Sequence, residues 1–167
     1  MTMTLAFTVG EKVVYPSHGV GEIIDIETQS ISGVELRVYA ISFPQDKMVL
    51  RVPVGRAATS GLRALSNQSD VSKIYEALQS KPKIGNRMWS RRAQEYEGKI
   101  NSGDIVAVAE VVRDLYKNID SDRSYSERTI YESAMNRLAS ELAVLESISR
   151  DDAILKLVEI LKDKVAA

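Results

Sequence analysis

Residues 60–78 read SGLRALSNQSDVSKIYEAL, and the fold turns on where the periodicity changes inside this stretch. Ser60 to Leu65 is short and follows a glycine-containing loop, so it reads as a last short strand. Beyond Ser66 the apolar residues Val71, Ile74, Tyr75 and Leu78 recur at helical spacing, with Asp70 as the expected cap. A β module therefore ends near Leu65 and a helical module begins near Ser66.

Toward the amino terminus the chain is built of short extended runs. Lys12 to Pro16 is extended and ends at a proline, and Gly19 to Ile31 alternates in part through Val20, Glu22, Ile24 and Ile26. Ser32-Gly33 signals a turn before Glu35 to Phe43, which is rich in β-branched and aromatic residues. Pro44 to Lys47 is a second turn, and Met48 to Val54 a further strand whose Pro53 marks an edge or an end. Five short strands in this length predict a small, strongly bent β-barrel of the Tudor or SH3 kind.

On the carboxyl-terminal side the pattern is helical throughout. Pro82 and Gly85 sit in a connection, and a second helix is expected from Arg87 to Ile100, ending before Ser102-Gly103. Asp104 opens a third helix with Ile105, Val108, Ala109, Val112 and Leu115 on one face. Ser124 and Glu127 have capping-box spacing ahead of a long helix striped by Ile130, Ala134, Leu138, Leu142 and Leu145. Ser149 and Asp152 repeat a weaker cap before Ile154, Leu157, Val158 and Leu161. The expected class is α+β: a small Tudor/SH3-like β-barrel over residues 1–65, then a compact all-helical domain over 66–167.

Composition narrows the chemistry. The chain has 167 residues, 44% of them hydrophobic, and no cysteine, which removes disulfides, thiolate catalysis and cysteine-held zinc. No apolar run approaches the roughly 18 residues of a membrane span, and the start lacks the pattern of a signal peptide. A cytoplasmic monomer that makes no membrane contact is expected. His18, the only histidine, lies between Pro16 and Gly19 and reads as a turn residue, with neither nucleophile nor orienting partner in view. Gly19 and Gly21 lack the third glycine of a dinucleotide fingerprint and precede strands, not a helix. Glu95 and Glu97 point apart on a helix. No enzyme chemistry, cofactor or metal is expected.

Charge is more telling locally than in sum. The formal net charge is -1, yet residues 81–99 carry six basic residues against two acidic ones. That patch surrounds the only tryptophan, in the run Asn86-Arg87-Met88-Trp89-Ser90-Arg91-Arg92. Arginines can meet phosphates while a flat ring stacks on bases or wedges between them. A lone tryptophan in a small helical domain can equally be a packing anchor, and an arginine can stack on it internally. On a helix Arg92 and Tyr96 share the face of Trp89. The residues of this run leave both readings open.

The order of motifs around it carries a family resemblance. Val9-Gly10-Glu11-Lys12-Val13-Val14-Tyr15-Pro16 with His18-Gly19-Val20-Gly21 resembles the opening of the CarD/CdnL family of bacterial RNA-polymerase-binding transcription regulators. Arg51-Val52-Pro53-Val54 and Gly61-Leu62-Arg63 continue it. Trp89-Ser90-Arg91-Arg92, Ser102-Gly103-Asp104, the run from Ala109 to Tyr116, Ser126-Glu127-Arg128 and Glu141-Leu142-Ala143 resemble its helical half. The resemblance spans nearly the whole chain.

It implies an amino-terminal Tudor-like module, shared with the transcription-repair coupling factor, that docks on the RNA polymerase β subunit. It also implies a helical module that touches promoter DNA in the minor groove at the upstream edge of the bubble, without reading sequence. Trp89 then takes the wedge position, with Arg87, Arg91 and Arg92 as neighbouring DNA contacts. Arg51 and Pro53 fall on the polymerase-facing strand, and Ile41 on the strand beside it. Gln29 and Gln94 depart from positions that are basic in some relatives, which implies a lighter grip on DNA from Gln94. The alternative is a Tudor-like adaptor that binds a peptide and makes no DNA contact, its helices serving as a brace.

Overall fold

A computed structural model describes residues 7–16, 18–44, 46–83, 88–116 and 125–166. Two compact units divide the chain, Met1–Leu65 and Ser66–Ala167. The first holds β1 (Lys12–Tyr15), β2 (Gly19–Ile31), β3 (Val34–Phe43), β4 (Met48–Pro53), a 3-10 turn (Val54–Arg56) and β5 (Arg63–Ala64). The second holds α1 (Gln68–Gln79), α2 (Trp89–Ile100), α3 (Ile105–Tyr116), α4 (Tyr125–Glu146) and α5 (Arg150–Ala166).

The five strands form one antiparallel sheet in the order β4-β3-β2-β1-β5. This corrects the expected Tudor/SH3-like barrel: the sheet is open, with β4 and β5 as its two edges. Closure needs the two outermost strands to pair over several residues. Here β5 is only two residues long and is spent on β1, where Ala64 and Arg63 face Val13 and Val14. The other edge stops at Pro53, which has no N–H to donate, and the chain then enters a 3-10 turn. Counting strands gave the right number, but closure depends on lateral pairing, which strand count does not encode.

An open sheet must cover its apolar face by other means. Val13, Ile23, Tyr39, Ile41, Phe43 and Val52 form that face, and Phe7, Ala57 and Leu62 pack against it from outside the strands. Phe7 meets Tyr39 edge-on at 5.6 Å, and the Phe7 amide donates to the Tyr39 hydroxyl at 3.4 Å. The β2–β3 turn is Ser32-Gly33, with φ of 52° and 81°. Two consecutive positive φ values match the twist of a tight hairpin, which is why a glycine is used there.

Gly21 serves a different purpose. A Cβ at this position would lie 2.7 Å from Phe43 Cε1 and 2.8 Å from Ile41 Cγ2. Gly21→Ala is therefore expected to overpack this face and lower stability by about 1–3 kcal/mol. Thermal unfolding checks this, and an unchanged midpoint would contradict it.

In the helical unit, α3 packs against α1, α2 and α4. Its Val108, Ala109, Val111, Val112 and Leu115 are buried in a core shared with Ile74 and Leu78 of α1, Leu138 and Leu142 of α4, and Leu157 of α5. Asn67, not Asp70, caps α1: its side chain accepts from the Asp70 amide at 3.0 Å while Asp70 accepts from the Asn67 amide at 3.0 Å. Asp70 is thus the third residue of a capping box, and the helix starts earlier than its apolar spacing implies. The Asp152 amide donates to Ser149 Oγ at 3.0 Å, so the expected cap of α5 is present. Ser124 lies outside the described residues. Tyr75, Glu146 and Lys156 tie α1, the end of α4 and α5 together, with Lys156 also 5.3 Å from the centroid of the Tyr75 ring. Desolvation pushes the Glu146 carboxyl up, but hydrogen bonds from Lys156 and Tyr75 outweigh it and leave the group below the usual carboxylate range.

Candidate functional site

Trp89 is the first residue of α2, two positions later than the start expected from spacing. The preceding residue, Met88, has φ -59° and ψ 147°, and no side chain caps the helix. Its own side chain is 78% exposed. Trp89 is half-buried and packs against the helical core, so the ring is neither a free paddle nor a sealed anchor.

Its surroundings follow from helical spacing. The Arg92 guanidinium carbon lies 5.4 Å from the Trp89 ring centroid and 5.7 Å from that of Tyr96. Arg92 Nη2 donates to the Tyr96 hydroxyl at 3.3 Å. The two rings are 6.3 Å apart, tilted by 46°, and Tyr96 itself is buried. Arg91 and Gln94 are exposed, as are Lys81 and Lys83 on the connection ahead of α2. Arg87 lies outside the described residues.

That connection is gripped from α3 by a pair which sequence reading missed. Asp114 Oδ1 accepts from the Lys83 amide at 3.0 Å and from Arg113 Nε at 2.9 Å. Arg113 Nη1 donates to Ser80 Oγ at 2.8 Å and reaches the Ala77 carbonyl at 3.4 Å. Both side chains are buried. A buried charge needs a partner and hydrogen bonds; Asp114 and residues 77–83 supply those of Nε and Nη1, while among the described residues Nη2 has only the Glu110 carboxylate, at 3.9 Å. The signal in the sequence was a charged pair flanked by Val111-Val112 and Leu115-Tyr116.

On the sheet, Arg51 and Pro53 share one face of β4 with Val49, while Met48, Leu50 and Val52 turn to the core. Ile41 is paired with Leu50 and is wholly buried on the core face. It therefore does not join Arg51 and Pro53 on one surface; its side chain supports β4 from behind. Arg51 Nε and Nη2 donate to Glu27 of β2 at 2.9 and 3.3 Å. Since Arg51 stands opposite Ala40 and Glu27 opposite Val38, the two side chains meet across β3 and cover those residues. The Arg51 hydrogen bond holds the Glu27 carboxyl below the usual carboxylate range. Gln29, two residues further along β2, is half-buried.

His18 sits in the β1–β2 turn, stacked on Tyr15 at 5.7 Å, with Nδ1 at 3.3 Å from Asp46 Oδ2. Among the described residues no group of three or more metal-ligating side chains is placed to hold an ion, and no helix is long and apolar enough to cross a membrane.

Comparison with known proteins matches both halves of the chain. A family model described as "CarD-like/TRCF RID domain" matches residues 7–66, and one described as "CarD, C-terminal domain" matches residues 73–159. A relative from Bacillus subtilis (strain 168), named "Putative transcription factor YdeB", is 28% identical over 144 residues, covering 86% of this chain and 94% of that protein. With the sheet unit and the helical unit each matched, and in that order, the protein belongs to the CarD/CdnL family of transcription regulators.

Proposed function

We propose that residues 1–65 dock on the β subunit of RNA polymerase and that residues 66–167 hold promoter DNA at the upstream edge of the melted bubble, where Trp89 enters the minor groove. The observation that carries this reading is the half-buried Trp89 at the uncapped start of α2, backed by Arg92 and Tyr96 and beside exposed Met88 and Arg91. A ring held from behind and open in front loses little further freedom when it slips into an unstacked step. Wedging is easiest where DNA is already distorted, which favours the bubble edge over intact duplex.

Docking uses the edge strand β4, which can extend a sheet in the partner through main-chain hydrogen bonds, with Arg51 and Pro53 on that strand. Tethering raises the local concentration of α2 at the DNA, so a weak, non-sequence-specific grip suffices. Arg91 supplies charge toward the phosphates, while Arg92 lies against the ring from behind. Because the melted state offers the wedge more than the closed duplex does, binding shifts the equilibrium toward it.

A photo-crosslinking residue at position 89, in a polymerase–promoter complex, is expected to label DNA at the upstream bubble edge. Crosslinks confined to protein would overturn the DNA contact and leave the adaptor reading, in which the helices only brace the sheet unit.

A further inference from the structure

We propose that Arg92 is a positioning residue that sets the pose of the Trp89 ring, not a ligand of the DNA backbone; this rests on the wedge reading above. Two neighbouring arginines of one helix turn are treated differently by the fold. Arg91 is exposed, whereas Arg92 is half-buried with its guanidinium 5.4 Å from the Trp89 centroid and 5.7 Å from the Tyr96 centroid. Its Nη2 is engaged by the Tyr96 hydroxyl at 3.3 Å, and its Nε is buried with no hydrogen-bond partner among the described residues.

Leaving a buried donor unsatisfied is unfavourable, and swinging the side chain outward would give it water. The arginine stays because two aromatic faces hold its planar cation. Tyr96 is buried and gives a fixed support; Trp89, at the first position of a helix with no side-chain cap, is the ring that needs fixing. The Arg92 guanidinium and the Tyr96 ring, itself 6.3 Å from the Trp89 ring, both bear on Trp89, so Arg92 adds a second support beside the buried tyrosine. A lysine would keep the charge but lose the planar, delocalised cation that lies against both rings.

The full-length protein decides between brace and phosphate ligand through Arg92→Lys and Arg92→Met, each alone and combined with Trp89→Ala. Arg91→Gln serves as the comparator for a phosphate contact. A brace predicts that both Arg92 variants shorten the lifetime of polymerase–promoter open complexes about fivefold and alter Trp89 fluorescence and anisotropy in the free protein. It also predicts an unchanged dependence on salt, and no further loss once Trp89 is alanine. Arg91→Gln, by contrast, flattens the salt dependence by about one phosphate contact's worth. Three results overturn the proposal: a lysine that behaves as wild type, a flattened salt dependence with Arg92→Met, or an Arg92 effect that persists without Trp89. Should Arg92→Met fail to fold, Arg92→Lys alone decides, and unchanged Trp89 fluorescence in it refutes the brace. If Trp89→Ala leaves the lifetime unaltered, the wedge reading fails instead, while the fluorescence of Arg92→Lys still decides whether the brace exists.

Discussion

Trp89→Ala is expected to shorten the lifetime of the promoter open complex about tenfold while polymerase binding stays at the level of the unaltered protein. The size follows from stacking: an aromatic–base contact is worth about 1–3 kcal/mol, and a tenfold change in lifetime needs about 1.4 kcal/mol. The separation of effects follows from placement, since Trp89 is in α2 of the helical unit and Arg51 and Pro53 are in β4 of the sheet unit. The ring is half-buried and touches the helical core, so its loss also lowers helical stability, by roughly 2 kcal/mol, below the cost of a fully buried tryptophan. Thermal unfolding of the same variant keeps the two effects apart. A variant that is unfolded at the assay temperature, or that no longer binds polymerase, would make Trp89 a packing anchor and remove the wedge.

Arg51→Glu is expected to weaken capture of the polymerase β subunit by about 30-fold or more, equivalent to about 2 kcal/mol, with the fold intact. Its side chain is half exposed, so the substitution removes no core contact. It does put a second carboxylate beside Glu27, across β3, in place of an ion pair. The repulsion splays the two groups into solvent and changes the surface of the edge strand β4. An exposed ion pair adds little to stability, so the unfolding midpoint is expected to move slightly at most. Unchanged capture of the β subunit by this variant would place the docking surface elsewhere.

Much of the local structure was legible in the residues. The β-branched runs located β1 to β4 within a residue or two, and the Ser32-Gly33 pair located the hairpin turn, because strand alternation and turn chemistry act over a few residues. The last strand was harder: Ser60 to Leu65 shrinks to Arg63–Ala64, since only two residues find a partner on β1. Helix starts moved for identifiable reasons. Asn67 competes with Asp70 for the cap of α1 and wins because the two make a reciprocal box.

The candidate site was legible in part. Helical spacing alone put Arg92 and Tyr96 on the face of Trp89, and the stack is there. What spacing could not say was how much of the ring the core would take, because that depends on how closely other helices approach α2. The apolar residues around Arg113 and Asp114 signalled a buried charged pair, but not its grip on residues 77–83, which joins groups more than thirty positions apart.

The sequence by itself determined the kinds of element, their order and the family, because these are written in short-range periodicity and in motifs of a few residues. Only the tertiary structure decided that the sheet is open, that Ile41 turns away from Arg51 and Pro53, that Arg51 is paired with Glu27, and that Trp89 is half-buried. Each of these is a matter of register or of packing between segments distant in the chain. Lateral pairing and burial are settled by many weak contacts acting together, and no local run of residues carries that sum.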